Sequence, residues 1–298
     1  MARHSPRRKE YGQHFLHDRH LIRRLVERAE ISPDDLVIEI GPGEGALTGE
    51  LLRRARQVLA IELDPDLVER LQARFPGEPG LILFSGDFLT FPLPSTPHKV
   101  FANLPYRHTA AIVGKLTSGT APPDDMFLVM QREAAQRFMG RPMGTLLAAQ
   151  LAPWFEPEIV HTFRPDDFRP APAVDSAMLR MQRRTNDLVP IDQRGHYVDL
   201  VSAVFSAWQP TVSVALAHLL GASTCRSIHR EVEWDLKVRP SAVNRQAWVD
   251  LYLVCQRIAS PREWTQVTAA ARRLEAQQAT ITRPTRSRAR RGEGGQRR

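Results

Sequence analysis

Leu36-Val-Ile-Glu-Ile-Gly-Pro-Gly-Glu-Gly45 is a short apolar run that stops abruptly in glycines. Continuous apolar runs of strand length, rich in β-branched residues, predict a strand buried on both faces, as in parallel sheets. Downstream, Leu47, Leu51 and Leu52 fall at helical spacing, and Val58-Leu-Ala-Ile61 is a second apolar run that ends in Glu62. Leu67, Val68 and Leu71 predict another helix, and Leu81-Ile-Leu-Phe84 a third strand. Val100-Phe-Ala102 and Met126-Phe-Leu-Val-Met130 predict two more strands. Strands alternating with helices predict the α/β class, with a doubly wound, largely parallel sheet. In such sheets ligands bind beyond the carboxyl ends of the strands.

The pattern changes around Arg183-Arg-Thr-Asn-Asp187. Val201, Val204, Phe205 and Trp208, then Val212, Leu216, Leu219 and Leu220, then Trp248, Leu251, Tyr252 and Val254, read as helix faces. The chain of 298 residues is therefore expected to divide into an α/β domain over 1–184, a small all-α domain over 185–260, and a tail over 261–298. Net charge is +8. From Arg262 onward ten arginines face three glutamates, so +7 of that charge sits in the last 37 residues and +1 in the rest. An Arg/Gly-rich segment of this kind is expected to be largely disordered and suited to a polyanion such as RNA.

Other classes fall away on composition. No apolar run approaches the ~20 residues of a membrane span, and the basic N-terminus leads into no apolar signal core, so a cytoplasmic location is expected. Cys225 and Cys255 form no CxxC and no zinc set; reduced thiols and no metal are the expectation.

The chemistry-bearing residues lie at strand ends. Gly41-Pro-Gly43-Glu-Gly45 joins the first strand to the first helix, where the backbone must turn tightly and admit a ligand. Glu62 closes the second strand, where an acid accepts the two hydroxyls of a ribose. Asp87 closes the third and is placed to accept from an adenine amino group. This spacing also fits NAD, with Ala46 at the last small-residue position, and a NAD-dependent oxidoreductase is a competing class. The turn after the next strand, Asn103-Leu-Pro-Tyr106, favours a different chemistry. An exocyclic adenine amine is a poor nucleophile because its lone pair is delocalised into the ring. The Asn103 side-chain oxygen and a carbonyl at Leu104 or Pro105 would hold its two hydrogens and localise the lone pair. Pro105 fixes φ and removes an N–H donor, and the Tyr106 ring can stack on the base.

Gly12-Gln-His-Phe-Leu16, Glu39-x-Gly-Pro-Gly43, Glu62-Leu-Asp64, Asp87, Asn103-Leu-Pro-Tyr106 and Phe168-Arg-Pro-Ala-Pro-Ala-Val-Asp-Ser176 occur in order. Together they resemble the ribosomal RNA adenine N6-methyltransferases, which comprise Erm-type methylases of large-subunit RNA and KsgA-type dimethylases of small-subunit RNA. The resemblance covers about residues 10–184 and runs on more weakly to about 260. It implies a Rossmann-like domain that takes its methyl group from S-adenosylmethionine. It implies cofactor contacts at His14, Leu16, Gly41, Gly43, Glu62, Asp87 and Asn103, with His14 standing where the family usually has Asn. It implies catalytic roles for Asn103, Leu104, Pro105 and Tyr106, with Phe168 stacking on the flipped base opposite Tyr106.

KsgA-type helical domains usually carry a basic run on their first helix, whereas Phe205-Ser-Ala-Trp-Gln-Pro-Thr-Val-Ser-Val214 has no basic residue. Trp154-Phe-Glu-Pro-Glu-Ile-Val160 and the Arg/Gly-rich extension resemble Erm-type enzymes. The resemblance therefore implies 23S ribosomal RNA as partner, a protein acting as a monomer, and resistance to macrolides, lincosamides and streptogramin B. A KsgA-type 16S enzyme and a non-catalytic nucleic-acid-binding relative are the alternatives.

Overall fold

The computed structural model describes residues 14–119 and 121–281. The α/β part begins with β1 (Phe15–Leu16), α1 (Arg19–Arg28), β2 (Leu36–Ile40) and α2 (Ala46–Leu52). It continues through β3 (Gln57–Glu62), α3 (Pro65–Arg74), β4 (Leu81–Ser85), β5 (Lys99–Asn103), α4 (Thr109–Ser118) and β6 (Asp125–Gln131). Then come α5 (Arg132–Met139), α6 (Leu146–Leu151), β7 (Phe155–Phe163), β8 (Phe168–Arg169) and β9 (Ser176–Arg183). The helix starts are encoded locally: the Asp18 carboxylate accepts from His20 N–H at 2.8 Å, and Asp64 precedes Pro65 and accepts from Asp66 N–H at 3.0 Å.

The main sheet has seven strands in the order β4-β3-β2-β5-β6-β9-β7. β4 to β6 are mutually parallel, and β9 and β7 run antiparallel at the edge. β2 sits in the middle, buried from Val37 to Ile40. Asp125 and Arg180 clamp β6 to β9, with Arg180 Nη2 donating at 2.6 Å and Nε at 2.9 Å to one carboxylate oxygen. The order reverses between β2 and β5, so the carboxyl ends of these two strands open the crevice where ligands lodge. Ile38 and Ile40 face one core cluster, and Val37 a second cluster shared with α1 and α2.

The helical part comprises α7 (Arg194–Ser206), α8 (Val212–Leu220), α9 (Ala222–Glu231) and α10 (Arg245–Ile258). The expected tail from residue 261 is corrected by two further helices, α11 (Pro261–Val267) and α12 (Ala270–Ile281). A capping box starts α11: Ser260 and Glu263 exchange hydrogen bonds, with Glu263 accepting from Ser260 N–H at 2.7 Å. Val267 and Ala270 are buried, and Asp199 of α7 accepts from the backbone of Ala269 and Ala271. The apolar residues at 264, 267 and 270 thus give this stretch a core-facing side despite its arginines. The Arg/Gly-rich stretch 282–298 lies outside the described residues. Among the described residues no helix is long and apolar enough to cross a membrane, and no cluster of His, Cys, Asp and Glu could hold a metal ion.

Candidate active site

A cleft of about 320 Å³ opens at the carboxyl ends of β2, β3, β4 and β5. Its walls include Ile40, Gly41, Ile61, Glu62, Asp87 and Asn103. Gly41 has φ +68°, and a Cβ placed on it would meet no atom within 4 Å. A side chain there would enter the cleft, so glycine keeps the space open as well as permitting the turn. Gly43, φ +59°, stands one layer behind: a Cβ on it would collide with the Phe15 ring.

Glu62 organises this corner. Its carboxylate is 1% exposed and accepts from Gly43 N–H at 3.1 Å and Asp64 N–H at 2.9 Å. Burial pushes its pKa up, opposed by those backbone donors. Glu62 lines the cleft, and its carboxylate retains acceptor capacity beyond these backbone donors. Asp87 is exposed, and one of its oxygens holds its own turn by accepting from Leu89 N–H at 2.8 Å. Behind that turn Lys115 of α4 donates to the carbonyls of Phe88, Leu89 and Phe91, and its ammonium lies over the Phe88 ring. Lys115 was invisible to sequence reading because the signal is a cation meeting three carbonyls more than twenty residues away.

The Asn103-Leu-Pro-Tyr106 turn faces the same cleft. Asn103 Nδ2 donates to the His14 carbonyl at 2.5 Å, which orients the amide and leaves Oδ1 as its remaining acceptor. Leu104 N–H donates to Val129 O at 3.0 Å, anchoring the turn to β6. The Pro105 carbonyl accepts from His108 N–H at 2.9 Å, while the Leu104 carbonyl accepts from no described residue. Of the two backbone acceptors expected from the sequence, Leu104 is therefore the one left available. The Tyr106 hydroxyl shares a 2.5 Å hydrogen bond with Ser176 Oγ, and burial raises its pKa. His14 stacks on the Tyr106 ring, centroids 5.5 Å apart, and its Nδ1 is 2.7 Å from the Pro170 carbonyl.

β1 and β8 form a two-stranded ribbon, pairing Leu16 with Phe168 and Phe15 with Arg169. Alternation then decides which rings reach the cleft. Phe15 lines it, whereas Leu16 and Phe168 point into the second core cluster. Phe168 is 2% exposed and packs against Phe163, centroids 5.2 Å apart. Its expected place opposite Tyr106 is thus corrected, because its strand register turns it to the core. The Leu16 side chain is likewise core, which leaves its backbone for the cofactor contact expected there, and its neighbour Phe15 lines the cleft.

Glu39 of β2 is another buried acid. It is 1% exposed, one oxygen has no partner among the described residues, and burial, with Glu62 nearby, pushes its pKa up to about 8. It alternates with Ile38 and Ile40 along β2, so it faces the α2 side of the sheet.

A sheet of this order with its cleft at the β2/β5 crossover and an Asn-x-Pro-Tyr turn defines a methyltransferase of nucleic-acid amines. Residues 4–254 match the ribosomal RNA adenine dimethylase family, and the chain belongs to it. Ribosomal RNA small subunit methyltransferase A of Dehalococcoides mccartyi (strain CBDB1) is 35% identical over 223 residues, 72% of this chain and 76% of that protein. The rRNA adenine N-6-methyltransferase of Saccharopolyspora erythraea is 36% identical over 211 residues, 70% of this chain and 55% of that protein. The crystal structure of the 23S rRNA methyltransferase ErmE matches with a TM-score of 0.73 at 31% identity, covering 81% of this chain and 99% of that one. The protein is an rRNA adenine methyltransferase, and the methyl donor of its family is S-adenosylmethionine. The cleft suits that group: apolar walls for a base, acids at two strand ends for hydroxyl and amine donors, and open space beside a glycine backbone.

Proposed function

We propose that the protein transfers a methyl group to N6 of one adenine in 23S ribosomal RNA. The observation that carries the chemistry is the Asn103 amide, committed through Nδ2 to the His14 carbonyl and through Oδ1 to nothing else described. When bound, S-adenosylmethionine supplies a methyl group made electrophilic by a positively charged sulfur. Glu62 accepts its ribose hydroxyls, Asp87 its adenine amino group, and the Gly41 backbone and the His14 and Phe15 segment enclose the rest. Asn103 Oδ1 and the Leu104 carbonyl accept the two hydrogens of the target amine and draw its lone pair out of conjugation. Tyr106, braced by Ser176 and Pro105, offers its ring to the unstacked base. Holding the amine in line with the methyl–sulfur bond would supply on the order of 7–11 kcal/mol. As the nitrogen–carbon bond forms the carbon–sulfur bond would break, the sulfur leaving as a neutral thioether, and the methylated amine would release its proton to water.

The likeness to ErmE over most of both chains supports large-subunit RNA, as does the absence of a basic run in Phe205–Val214. On this reading methylation of an adenine in the peptidyl-transferase loop protects against macrolides, lincosamides and streptogramin B. The name of the Dehalococcoides relative favours a second reading, dimethylation of 16S RNA. Primer extension and mass spectrometry of both ribosomal RNAs, from cells with and without the protein, separate the two. A new N6-methylated adenine in 23S RNA with raised macrolide tolerance is expected. Modification confined to 16S RNA would overturn the first reading.

A further inference from the structure

Trp208 is 96% exposed, more than any other large apolar side chain among the described residues. It follows the C-cap Ala207 of α7 and has φ +54°, the left-handed conformation in which helices ordinarily end on glycine. A bulky residue there holds the backbone in a strained region and gains no packing in return. Both features work against the fold, which points to something outside the chain that uses the ring.

The surroundings give that partner a chemistry. Val212 N–H donates to Val238 O at 2.9 Å and Ser213 N–H to Leu236 O at 2.8 Å, so the chain leaving Trp208 lies against residues 236–238. Lys237 and Arg239 on that segment are exposed. Next along, Gly144 N–H donates to Ser241 O at 2.8 Å, and a Cβ on Gly144 would stand 3.0 Å from the carbonyl oxygens of Ser241 and Val243. The 140–145 loop is thereby seated on the same segment, and it carries exposed Arg141 and Met143. That loop follows α5, whose N-cap Gln131 ends β6 and pairs with Ser176, the partner of the Tyr106 hydroxyl. Backbone pairings and the intervening chain segments therefore connect the catalytic turn to the segment that carries Trp208. Arg141, Lys237 and Arg239 make no ion pair among the described residues, and Asp235, the nearest acid in sequence, accepts from the Lys237 amide at 2.8 Å.

An exposed aromatic ring beside cations spaced along a surface is the arrangement that takes single-stranded nucleic acid, bases on the ring and phosphates on the cations. We propose that Trp208 stacks on an unpaired nucleotide of the substrate ribosomal RNA, distinct from the target adenine, while Arg141, Lys237 and Arg239 bind the intervening phosphates. The inference rests on ribosomal RNA being the substrate.

The test is Trp208→Gly, with Trp208→Tyr as the conservative variant, titrated with 23S and 16S transcripts. Glycine suits φ +54°, so the variant should melt no lower than wild type and bind S-adenosylmethionine equally well. RNA affinity should fall between about fivefold and a hundredfold with an unchanged salt slope, and Trp208→Tyr should restore most of it. The double variant Lys237→Gln/Arg239→Gln should instead reduce the salt slope by about 1.4, two contacts at about 0.7 each for a single strand. A Trp208→Gly protein with wild-type RNA affinity and methylation rate overturns this proposal alone. So does a wild-type dimer that Trp208→Gly dissociates with RNA affinity unchanged, since a second copy would then be the occupant. A wild-type protein that binds and methylates neither transcript overturns the substrate reading as well.

Discussion

On the proposed mechanism Asn103 concentrates the chemistry in one amide, with one Nδ2 hydrogen held by the His14 carbonyl and Oδ1 offered to substrate. Asn103→Ala removes the acceptor and the bond to the His14 carbonyl but leaves in place the cofactor walls made by Glu62, Ile40 and Phe88. Methyl transfer should fall at least about 100-fold, on the scale of losing one preorganised hydrogen bond in a reacting site. Cofactor affinity by calorimetry should stay within a few-fold, and near wild-type turnover would remove Asn103 from the mechanism. Glu39 carries a second prediction at this scale. Its folded pKa is raised from 4.5 to about 8 by burial, so the native state binds more protons than the unfolded chain between those values. Stability is then full below pH 4.5 and declines as pH rises toward 8. Glu39→Gln cannot ionise, so it should melt higher than wild type at pH 8 and lose the decline. The effect is bounded by about 5 kcal/mol, and melting temperatures across pH 5–8 that run parallel for both proteins would count against it.

At the level of elements, the β1/β8 ribbon and the Asp87 turn are what bring distant residues to the cleft. Phe168 belongs to the ribbon's core side, so Phe168→Ala should destabilise by about 3–5 kcal/mol in denaturant titration. Phe168→Leu fills the same space and should keep folding and most activity; a stable but inactive Phe168→Leu would return the ring to substrate. Lys115 fixes the Phe88–Phe91 carbonyls, and Lys115→Met should raise the S-adenosylmethionine Kd about tenfold, a loss of about 1.4 kcal/mol, with kcat at saturation within about twofold. An unchanged Kd would mean the turn holds itself. These elements also mark what sequence reading can reach. The five parallel strands were legible as continuous apolar runs, and Gly41, Glu62, Asp87 and Asn103 followed from being at their ends. β7 was not, because Glu156, Glu158, His161 and Thr162 interrupt it and a register shift falls between Ile159 and His161. β9 is built on Ala, Met and Arg rather than β-branched residues. Whether Phe15 or Phe168 faces the cleft depends on the register of a two-residue pairing between segments some 150 positions apart, which no local pattern encodes.

Across the whole molecule, the boundary expected near residue 184 is a change of secondary structure within a continuous core. One apolar cluster contains Ile38 and Ile40 of β2 together with Trp154, Tyr197, Leu216 and Tyr252. Trp154 stands edge-on to Tyr197 at 5.5 Å, and Tyr197 to Tyr252 at 5.3 Å. Polar contacts tie the same seam: Trp154 Nε1 donates to Val189 O at 2.8 Å, and the Tyr197 hydroxyl to Ala149 O at 2.7 Å. Arg245 of α10 reaches the Phe155 carbonyl at the start of β7. Removing the helical part would uncover Trp154 and Ala149 and leave β7 against water, so the helices are part of the catalytic fold's stability. The full chain should therefore unfold in one calorimetric transition whose van't Hoff and measured enthalpies agree. A chain ending at residue 184 should lack fixed tertiary packing, read as lost near-ultraviolet dichroism and binding of an apolar dye. Two separated transitions, with the shorter chain melting at the temperature of one of them, would show instead that the sheet folds by itself and that the seam through Trp154 is an interface.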